Sequence, residues 1–429
     1  MRKFFVQLIF LLYSYLFIPI SLLAFNILSP FNKKIRESLS GRRKMKALLN
    51  NYEFSKEKVV WIHCASLGEY EQAKPIIDKL KENDGDIKIV LTFFSPSGFN
   101  AVEHKNIDFK AYLPFDYPSS MKKFIQKINA DILILAGYDV WPNFIRYTHQ
   151  AKLPIFIISA RLREGSHRLK PIISFWQKEI YSKIDKVLSV TEDDTERFIH
   201  MGVRRDAIKV LGNTRYDQVI ERRGETVPFE SELSLLSKGK IVLILGSIWK
   251  SDTTVIFDSL LKVLDLNPKL LVIFVPHDPE IKFLDQIISQ LETKNFGTVK
   301  YSALEENKSE CRAIIVDSVG HLVGLYKFAH IAYLGGGFGP GVHNVMEPAV
   351  YGIPVVYGPK LKNSVTAKYL NEFGGGFIVK TGNMFGEVLT ELLQDNNLRA
   401  EAGNSARKVI IDHSGATENT VREIEMILK

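Results

Sequence analysis

From residue 58 onward, short runs of β-branched and aliphatic residues alternate with longer stretches in which apolar residues recur every three or four positions. The short runs predict buried strands, and the longer stretches, such as YEQAKPIIDKLKEN, predict amphipathic helices. We predict a first series of strands at 58–64, 86–94, 131–136, 153–159, 186–190 and 208–212. A second series is predicted at 240–246, 269–275, 313–317, 331–336 and 354–358. Strands that alternate with helices favour parallel, doubly wound α/β sheets.

The stretch between the two series, residues 219–239, shows no strand pattern and is predicted to be a linker. We therefore expect two Rossmann-like, doubly wound domains, at 58–218 and 240–429, that face a cleft. The length of 429 residues is sufficient for domains with cores of their own. A content of 46% hydrophobic residues excludes a disordered chain, and two cysteines are too few to hold one of this length by disulfides.

The N-terminal segment has no charged residue between Lys3 and Lys33. Its apolar core exceeds the ~20 residues that a helix needs to cross a bilayer, so residues 1–32 are predicted to form a membrane anchor. A cleaved signal peptide is disfavoured, because its apolar region is usually ~7–15 residues long and no A-x-A site follows. A buried helix of a soluble domain stays an alternative, and spanning and half-inserted anchors are both open.

The net charge of +8 originates beside the N-terminus, because residues 1–46 contain nine Lys or Arg and one Glu. The remainder of the chain is neutral, so we expect no nucleic-acid partner. The basic segment 33–57 is expected to lie against an anionic membrane surface and to place the folded domains on its cytoplasmic side.

Polar residues that follow strands are the candidates for chemistry, because parallel sheets bind ligands at the carboxyl ends of their strands. After the strand at 58–64, Ser66 and Glu69 match the S-x-x-E capping box, whose side chains satisfy the first amides of a helix. The alternative is that Glu69 is a general base at the cleft. The residues alone leave both interpretations open.

After the strand at 331–336, five glycines occur within residues 335–341, followed by His343, Asn344 and Glu347. Glycine lets backbone N–H groups approach an anion, and the N-terminus of a following helix adds a favourable dipole. This pattern predicts phosphate binding, with a plain loop as the alternative. The G-x-G-x-x-G fingerprint and the Walker A motif are both missing, which disfavours a nicotinamide oxidoreductase.

Two other groups of residues are candidate ligands. His277 follows a strand and is either a phosphate ligand or an ordinary loop histidine. Asp84 and Asp86 flank a glycine in a helix-to-strand turn, where such residues are expected without any metal. No Cys/His spacing typical of a metal site occurs, so we predict no metal and no cofactor.

The segments WIHCASLGEYEQAKPII, LTFFSPSG, ISARL, LGNTRYD and GGGFGPGVHNVMEPAVYGIPVVYGP together resemble the 3-deoxy-D-manno-octulosonic acid (Kdo) transferases of lipopolysaccharide synthesis. The resemblance runs from the N-terminal anchor to about residue 375. It implies a GT-B fold in which 58–218 binds the acceptor and 240–429 binds the donor. It also implies inverting, metal-independent transfer from CMP-Kdo to a lipid A precursor (lipid IVA) at the cytoplasmic face of the inner membrane.

The resemblance further implies roles for individual residues. It places the catalytic base on Glu69 rather than leaving that residue as a helix cap. Ser247 would belong to the phosphate-binding turn, and Arg161 and Arg215 would be phosphate or acceptor ligands. The remaining donor ligands implied by the family are Gly335, Gly336, Gly337, His343, Asn344 and Glu347, of which Glu347 would hold the ribose. His277 stays a candidate donor ligand because it follows a strand, not because of the resemblance.

The chain departs from the family in two motifs. Many members have E-T-E-L-W-P-N where this chain has GYDVWPN at 137–143, so the first acid is lost and Asp139 replaces the second. Asp139 is the next candidate for the base. Many members have P-R-H-P where this chain has PHDP at 276–279. Two alternatives stay open: another GT-B enzyme with a UDP-sugar donor, and a nonenzymatic, membrane-tethered nucleotide-binding module.

Overall fold

The computed structural model describes residues 2–52, 57–137, 139–306, 311–361 and 364–429. Residues 53–56 of the predicted juxtamembrane segment and Tyr138 of the 137–143 motif lie outside the described residues. The chain divides into two compact units. Unit 1 is Met1–Gln218 with Ser414–Lys429, and unit 2 is Val219–His413.

Unit 1 contains a parallel seven-stranded sheet with the order β3-β2-β1-β4-β5-β6-β7. Its strands are β1 Val59–Cys64, β2 Lys88–Phe93, β3 Phe109–Tyr112, β4 Ile132–Ala136, β5 Ile155–Ala160, β6 Lys186–Ser189 and β7 Ile208–Val210. Apolar clusters cover both faces of this sheet, so its central strands are buried along their whole length. Burial on both faces explains why these strands are continuous hydrophobic runs in the sequence rather than alternating ones.

The helices of unit 1 follow the predicted alternation with strands. They are α1 Arg2–Leu12, α2 Ile18–Leu28, α3 Lys33–Asn51, α4 Leu67–Asn83, α5 Pro96–Ala101, α6 Pro118–Ile128, α7 Pro142–Gln150, α8 Pro171–Tyr181 and α9 Glu192–His200. The next helix, α10 Arg215–Arg222, begins in unit 1 and ends in unit 2. A π-helical segment, Tyr13–Phe17, joins α1 to α2. Together these give one helix among the described residues, Phe4–Leu28, that is long and apolar enough to cross a membrane by length and composition.

Unit 2 repeats the architecture with a second parallel seven-stranded sheet, of order β10-β11-β9-β8-β12-β13-β14. Its strands are β8 Ile241–Ile248, β9 Leu270–Pro276, β10 Thr298–Lys300, β11 Ala313–Ile315, β12 Ile331–Leu334, β13 Val355–Tyr357 and β14 Gly376–Ile378. Its helices are α11 Glu230–Ser237, α12 Lys250–Leu266, α13 Ile281–Glu292, α14 Leu322–Leu325, α15 Met346–Val350, α16 Val365–Glu372, α17 Gly382–Gln394 and α18 Asn396–Asp412.

The prediction of two doubly wound, Rossmann-like α/β domains behind an apolar N-terminal helix is confirmed. Three strands lack a counterpart in the predicted series, namely β3, β10 and β14. Each of them is an edge strand of only three or four residues. An edge strand is paired on one side only, so a short and partly polar sequence is sufficient to form it and leaves little pattern to detect.

The predicted boundaries of the second domain are wrong at both ends. The last helix, α19 Ala416–Leu428, belongs to unit 1, because its apolar face packs on α4 and places Val421, Ile424 and Leu428 in the core there. The predicted linker 219–239 belongs to unit 2 rather than forming a separate segment. Val227 and Leu233 are buried in unit 2, which holds that stretch in place.

Candidate functional site

In each sheet, the strand order reverses at one point, and crevices at such points are where α/β proteins bind ligands. The reversal lies between β1 and β4 in unit 1 and between β8 and β12 in unit 2. Ser66 and Glu69 follow β1, and Asp139 follows β4. Ser247 is the next-to-last residue of β8, and the glycine run at 335–341 follows β12. Most of the residues selected from the sequence therefore lie at these two crevices.

At the crevice of unit 1, Ser66 and Glu69 form the capping box at the N-terminus of α4. The Ser66 N–H donates to Oε2 of Glu69 at 3.0 Å, and the Ser66 hydroxyl also hydrogen-bonds to that oxygen. Both bonds go to Oε2, so Oε1 of Glu69 is the carboxylate oxygen that remains for a substrate proton. The cap and a catalytic role are therefore compatible in this geometry.

Gly137 lies directly beside the Glu69 side chain. A Cβ at position 137 would be 3.3 Å from Cγ of Glu69, and the φ angle of Gly137 is +83°. A side chain here would be strained by the left-handed backbone and would press on Glu69. The glycine at position 137, where many proteins of the family that the chain resembles have a glutamate, thus leaves room for the Glu69 carboxylate where the structure places it.

Two arginines adjoin the same turn. Arg215, at the start of α10, donates from Nη2 to the carbonyl of Gly68 at 2.6 Å. Burial lowers the pKa of Arg215, the carboxylates of Glu69 and Glu71 oppose that effect, and the positive charge of Arg161 adds to it. Arg161, immediately after β5, thus adds positive charge to the surroundings of Arg215.

Asp139, the second candidate base, pairs with a histidine inside β1. Nε2 of His63 lies 3.7 Å from Oδ2 of Asp139, and the Trp141 indole N–H donates to the same oxygen at 2.9 Å. Burial alone would raise the pKa of Asp139, but the bonds and charge of His63 and the bond from Trp141 outweigh it and lower the pKa. A carboxylate held in its ionised form in this way is a weak proton acceptor, so Glu69 is the better candidate.

The glycine run of unit 2 is required for close backbone packing. Side chains at Gly335 and Gly337 would overlap the backbone of Ser247–Ile248 and of Gly358, and Gly336 has a φ angle of +87°. The N–H groups of the run are largely committed within the protein: those of Gly335, Gly336, Gly339 and Gly341 donate to Gly246, Asp252 and the Gly336 carbonyl. Of the three glycines predicted as donor ligands, Gly335 and Gly336 therefore have their amides engaged within the turn itself, and donor binding by the run stays a prediction.

Asp252, near the N-terminus of α12, is fully buried and is the shared hydrogen-bond acceptor of this turn. Its Oδ2 accepts the N–H groups of Gly336 at 2.8 Å and Trp249 at 2.9 Å, and its Oδ1 accepts the Tyr333 hydroxyl at 3.0 Å. The carboxylate thereby joins β12, the glycine run and the start of α12. The sequence signal for it is an acid three residues after the strand-ending segment SIW, which resembles an ordinary helix cap.

Three rings form a stack next to this turn. The ring centroids are 4.5 Å apart for Trp249 and His277 and 4.6 Å apart for His277 and His343. The Trp249 N–H donates to Nε2 of His343 at 2.6 Å. Burial first, and the neighbouring His277 second, lower the pKa of His343, with Asp252 opposing. Burial therefore favours the neutral form of His343, in which Nε2 accepts the Trp249 N–H and the proton is on Nδ1. Trp249 was missed from the sequence, although it directly follows a strand.

The remaining predicted donor ligands lie close by. Asn344 donates to Oε1 of Glu347 at 3.0 Å. His343 and Asn344 precede the helix that holds Glu347, because α15 begins only at Met346 and has five residues. Ser247 has a φ angle of +50°, a left-handed conformation that side-chain residues rarely adopt. Strain of this kind is found where a site holds its backbone in place.

The comparisons with known proteins agree with the family that the sequence motifs resemble. A family model described as 3-Deoxy-D-manno-octulosonic-acid transferase (kdotransferase) matches residues 38–218. The chain is 30% identical to the 3-deoxy-D-manno-octulosonic acid transferase of Aquifex aeolicus, over 78% of this chain and 86% of that protein. It is 26% identical to the protein of the same name from Haemophilus influenzae, over 93% of each.

Solved structures of similar shape support the fold. UDP-GlcNAc 2-epimerase from Neisseria meningitidis, bound to UDP-GlcNAc, superposes with a TM-score of 0.60 at 15% identity, covering 86% of this chain and 100% of that one. The MnaA–UDP structure from S. aureus gives a TM-score of 0.56 at 14% identity, covering 86% and 97%. At these identities the likeness concerns the fold alone, and it confirms the GT-B class.

Proposed function

The chain belongs to the family of 3-deoxy-D-manno-octulosonic acid transferases, and we propose from this premise that it transfers Kdo from CMP-Kdo to a lipid A precursor. Family membership makes it a glycosyltransferase of lipopolysaccharide biosynthesis. The observation that carries the finer proposal is the crevice of unit 1, where the Glu69 carboxylate and the Arg215 guanidinium belong to the same turn, and Arg161 adds positive charge to the surroundings of Arg215.

We assign activation of the acceptor to Glu69. Its carboxylate takes the proton from the acceptor hydroxyl as the hydroxyl oxygen bonds to the anomeric carbon of Kdo. The bond from that carbon to the CMP phosphate breaks on the opposite face, which inverts the configuration. The proton ends on Glu69 and the electron pair leaves with CMP. The capping box fixes the direction of the carboxylate before the substrate arrives, which lowers the cost of orientation.

We assign donor binding to the crevice of unit 2. Since the amides of the glycine run are mostly committed, the groups that contact CMP are side chains: the ring stack of Trp249, His277 and His343, and the hydrogen-bonded pair Asn344 and Glu347. A flat stack suits a nucleobase or sugar face, and the Glu347 carboxylate suits the ribose hydroxyls. In unit 1, Arg161 and Arg215 supply positive charge for anionic groups of the acceptor.

A cavity of unit 1 supports an amphiphilic acceptor. It has a volume of about 1040 Å³ and lies between α2, α3 and α6. Its apolar lining suits acyl chains, and its basic side chains suit the anionic groups of a lipid A precursor. The apolar residues include Pro19, Leu22, Met45, Leu49, Phe115 and Phe124, and the basic ones are Arg42, Arg43, Lys123 and Lys127.

We further propose that the enzyme is bound to the cytoplasmic face of the inner membrane and needs no metal. The N-terminal apolar helix and the basic α3 support membrane binding. Within the described ranges, no group of three or more His, Cys, Asp or Glu side chains is arranged to hold a metal ion. If no metal takes part, transfer activity persists in excess EDTA, and a loss that added Mg²⁺ restores would contradict this part of the proposal.

The direct experiment is to incubate the purified full-length protein with CMP-Kdo and a lipid A precursor and to weigh the lipid product. We expect addition of Kdo with release of an equal amount of CMP. A parallel thermal-unfolding measurement with CMP or UDP separates the two donor classes, because the nucleotide that binds the folded protein raises its melting temperature. Protection by UDP alone, or CMP-Kdo consumption without a lipid product, would overturn the proposal.

A further inference from the structure

The N-terminal helix is fixed along the surface of unit 1. Val6, Phe10, Ser14 and Ile18 are buried and are spaced four residues apart, so they form one stripe on the helix. Val6 and Phe10 belong to the hydrophobic core of unit 1. The Phe10 ring meets the edge of the Trp176 ring, with the centroids 5.7 Å apart. One face of the helix is therefore part of the domain rather than free to pack in lipid.

The middle of the same helix is hydrogen-bonded to buried polar groups of the domain. The Tyr13 hydroxyl donates to Oδ2 of Asp116 at 2.9 Å, and the Ser14 hydroxyl donates to Oδ1 of Asn143 at 3.0 Å. Asp116 also accepts the N–H groups of Asn143 and Phe144 at the start of α7. These bonds connect the centre of the helix with the inside of the domain.

The second half of the helix and the basic helix α3 are attached as well. Phe25 of α2 contacts Phe115 at a centroid distance of 5.9 Å. Arg42 of α3 donates to the carbonyls of Leu113 and Phe94, both at 2.9 Å, and its guanidinium lies over the Phe115 ring. The two helices therefore form a fixed pair on unit 1.

The opposite face of the N-terminal helix is exposed and apolar along its whole length. Phe4, near one end, is 71% exposed, and Ile27, near the other, is 61% exposed. The exposed apolar stripe consists of Phe4, Phe5, Leu8, Leu11, Leu12, Tyr15, Leu16, Phe17, Ile20, Leu23, Ile27 and Leu28. A continuous apolar surface of this size on a soluble protein marks an interaction site.

An upright, spanning orientation conflicts with these contacts. The 25 residues of Phe4–Leu28 span about 37 Å, and Tyr13 lies about 14 Å from the Phe4 end, near the middle of a ~30 Å hydrocarbon layer. Asp116 would then enter that layer together with α6, which follows it and carries the exposed Lys122 and Lys123. Charged groups at that depth are strongly disfavoured.

We infer that the N-terminal helix lies in the plane of a single leaflet, with its apolar stripe in the acyl region and both of its ends on the same side of the membrane. This inference rests on the membrane association proposed above. We infer that a bilayer with anionic lipid covers the apolar stripe, because exposed cations lie on α3, the helix that directly follows. They are Lys33, Lys34, Arg36, Arg43 and Lys44. An in-plane helix of this kind gains affinity from both buried apolar area and headgroup charge.

A topology experiment on the full chain tests the orientation. A short hydrophilic extension with one cysteine is added before Met1, and a control variant, Lys238→Cys, reports the side on which unit 2 lies. The native Cys64 and Cys311 are buried and give little background. A membrane-impermeant maleimide is applied to inside-out and right-side-out vesicles. We expect the extension and Lys238→Cys to be labelled in the same vesicle preparation.

The outcomes are distinct. Labelling of the extension from the side opposite to Lys238→Cys shows a spanning helix and overturns the inference, while the proposed enzymatic function stands. Recovery of the protein in the soluble fraction, without sedimentation on anionic vesicles, overturns the membrane association itself. In that case the apolar stripe faces a protein, and both the localisation and this inference fail.

A depth measurement gives a second, independent readout. A fluorophore is attached in turn to Leu8→Cys, Leu16→Cys and Ile27→Cys, which all lie on the exposed stripe. An in-plane helix gives similar quenching by a shallow, lipid-bound quencher at all three positions. In a spanning helix, Leu8 and Leu16 differ in depth by about 12 Å, so the central position would be quenched least. The second pattern would contradict the in-plane orientation.

Discussion

The sharpest test of the site is Glu69→Gln, because the capping box and the catalytic role predict different losses. In the structure, the Glu69 carboxylate accepts the Ser66 N–H at 3.0 Å, and the amide oxygen of Gln can accept the same bond. The substitution removes a negative charge from the first turn of α4, which is worth about 0.3–1 kcal/mol of stability. Glutamine cannot take a proton from the acceptor hydroxyl, so transfer should fall by about 10²–10⁴.

The free energy lost from catalysis and the free energy lost from a helix cap are far apart, which makes the experiment decisive. A rate loss of about 10²–10⁴ corresponds to about 2.7–5.5 kcal/mol of activation free energy. The loss of a whole helix cap costs only about 0.5–2 kcal/mol, against a typical folding stability of about 5–15 kcal/mol. The loss of a helix cap alone would therefore leave the protein folded and active at room temperature.

The matched control is Ser66→Ala, which removes the hydroxyl partner from the capping box and keeps the carboxylate. We expect this variant to lose stability but to retain most of its transfer rate. Rates are measured at saturating acceptor by CMP release and product mass, and CMP affinity is measured by calorimetry. CMP affinity should stay close to that of the unchanged protein in both variants. If Glu69→Gln transfers Kdo as fast as Ser66→Ala does, Glu69 is a helix cap and the base assignment is refuted.

Three further predictions concern the two crevices. Asp252→Asn should lower the free energy of unfolding by about 1–3 kcal/mol, measured by chemical denaturation, because the buried carboxylate that orders the glycine run loses acceptor capacity. It should also weaken CMP binding. The control Asp258→Asn, at an exposed position on the same helix, should change neither the stability nor the CMP affinity. Gly137→Ala should destabilise unit 1 by about 1–3 kcal/mol, because an alanine at a φ angle of +83° has a strained backbone. It should also lower the transfer rate by displacing Glu69. Unchanged stability would refute the backbone strain at this position. The pKa of His343 is lower in the folded protein than in the unfolded chain, so the unfolded chain takes up the proton first. Stability should be full above about pH 6.5 and fall as the pH drops below that value, whereas in His343→Gln this decrease should be smaller, and equal decreases would contradict the assignment.

The sequence predicted the site best where the chemistry depends on position along a strand. Glu69 and the glycine run were selected because each follows a buried strand, and the carboxyl ends of parallel strands meet at one edge of a sheet, whereas Asp139 was selected only through the family resemblance. His63 was missed because a single histidine inside a buried strand gives no pattern. Its partners, Thr92 at 3.0 Å and Asp139 at 3.7 Å, come from other strands or loops.

The glycine run shows the limit of local pattern most clearly. Its composition correctly indicates a backbone that packs closely, but the partners of its amides are set by residues distant in sequence. Asp252 lies 84 positions from Gly336 and takes its N–H, so this amide is not available to a phosphate. Hydrogen-bond partners across such distances depend on the packing of whole elements, which no local window contains.

The sequence by itself determined the alternation of strands and helices, the parallel sheets and the apolar N-terminus, because these follow from periodicity and from burial on one or both faces. Only the tertiary structure decided that α19 returns to unit 1 and that Tyr13 and Ser14 bind the domain. It also decided that Asp252 holds the glycine run. The reason is physical: a residue's periodicity is encoded by its neighbours along the chain, whereas its contacts depend on which distant surfaces the folded chain brings within a few ångströms.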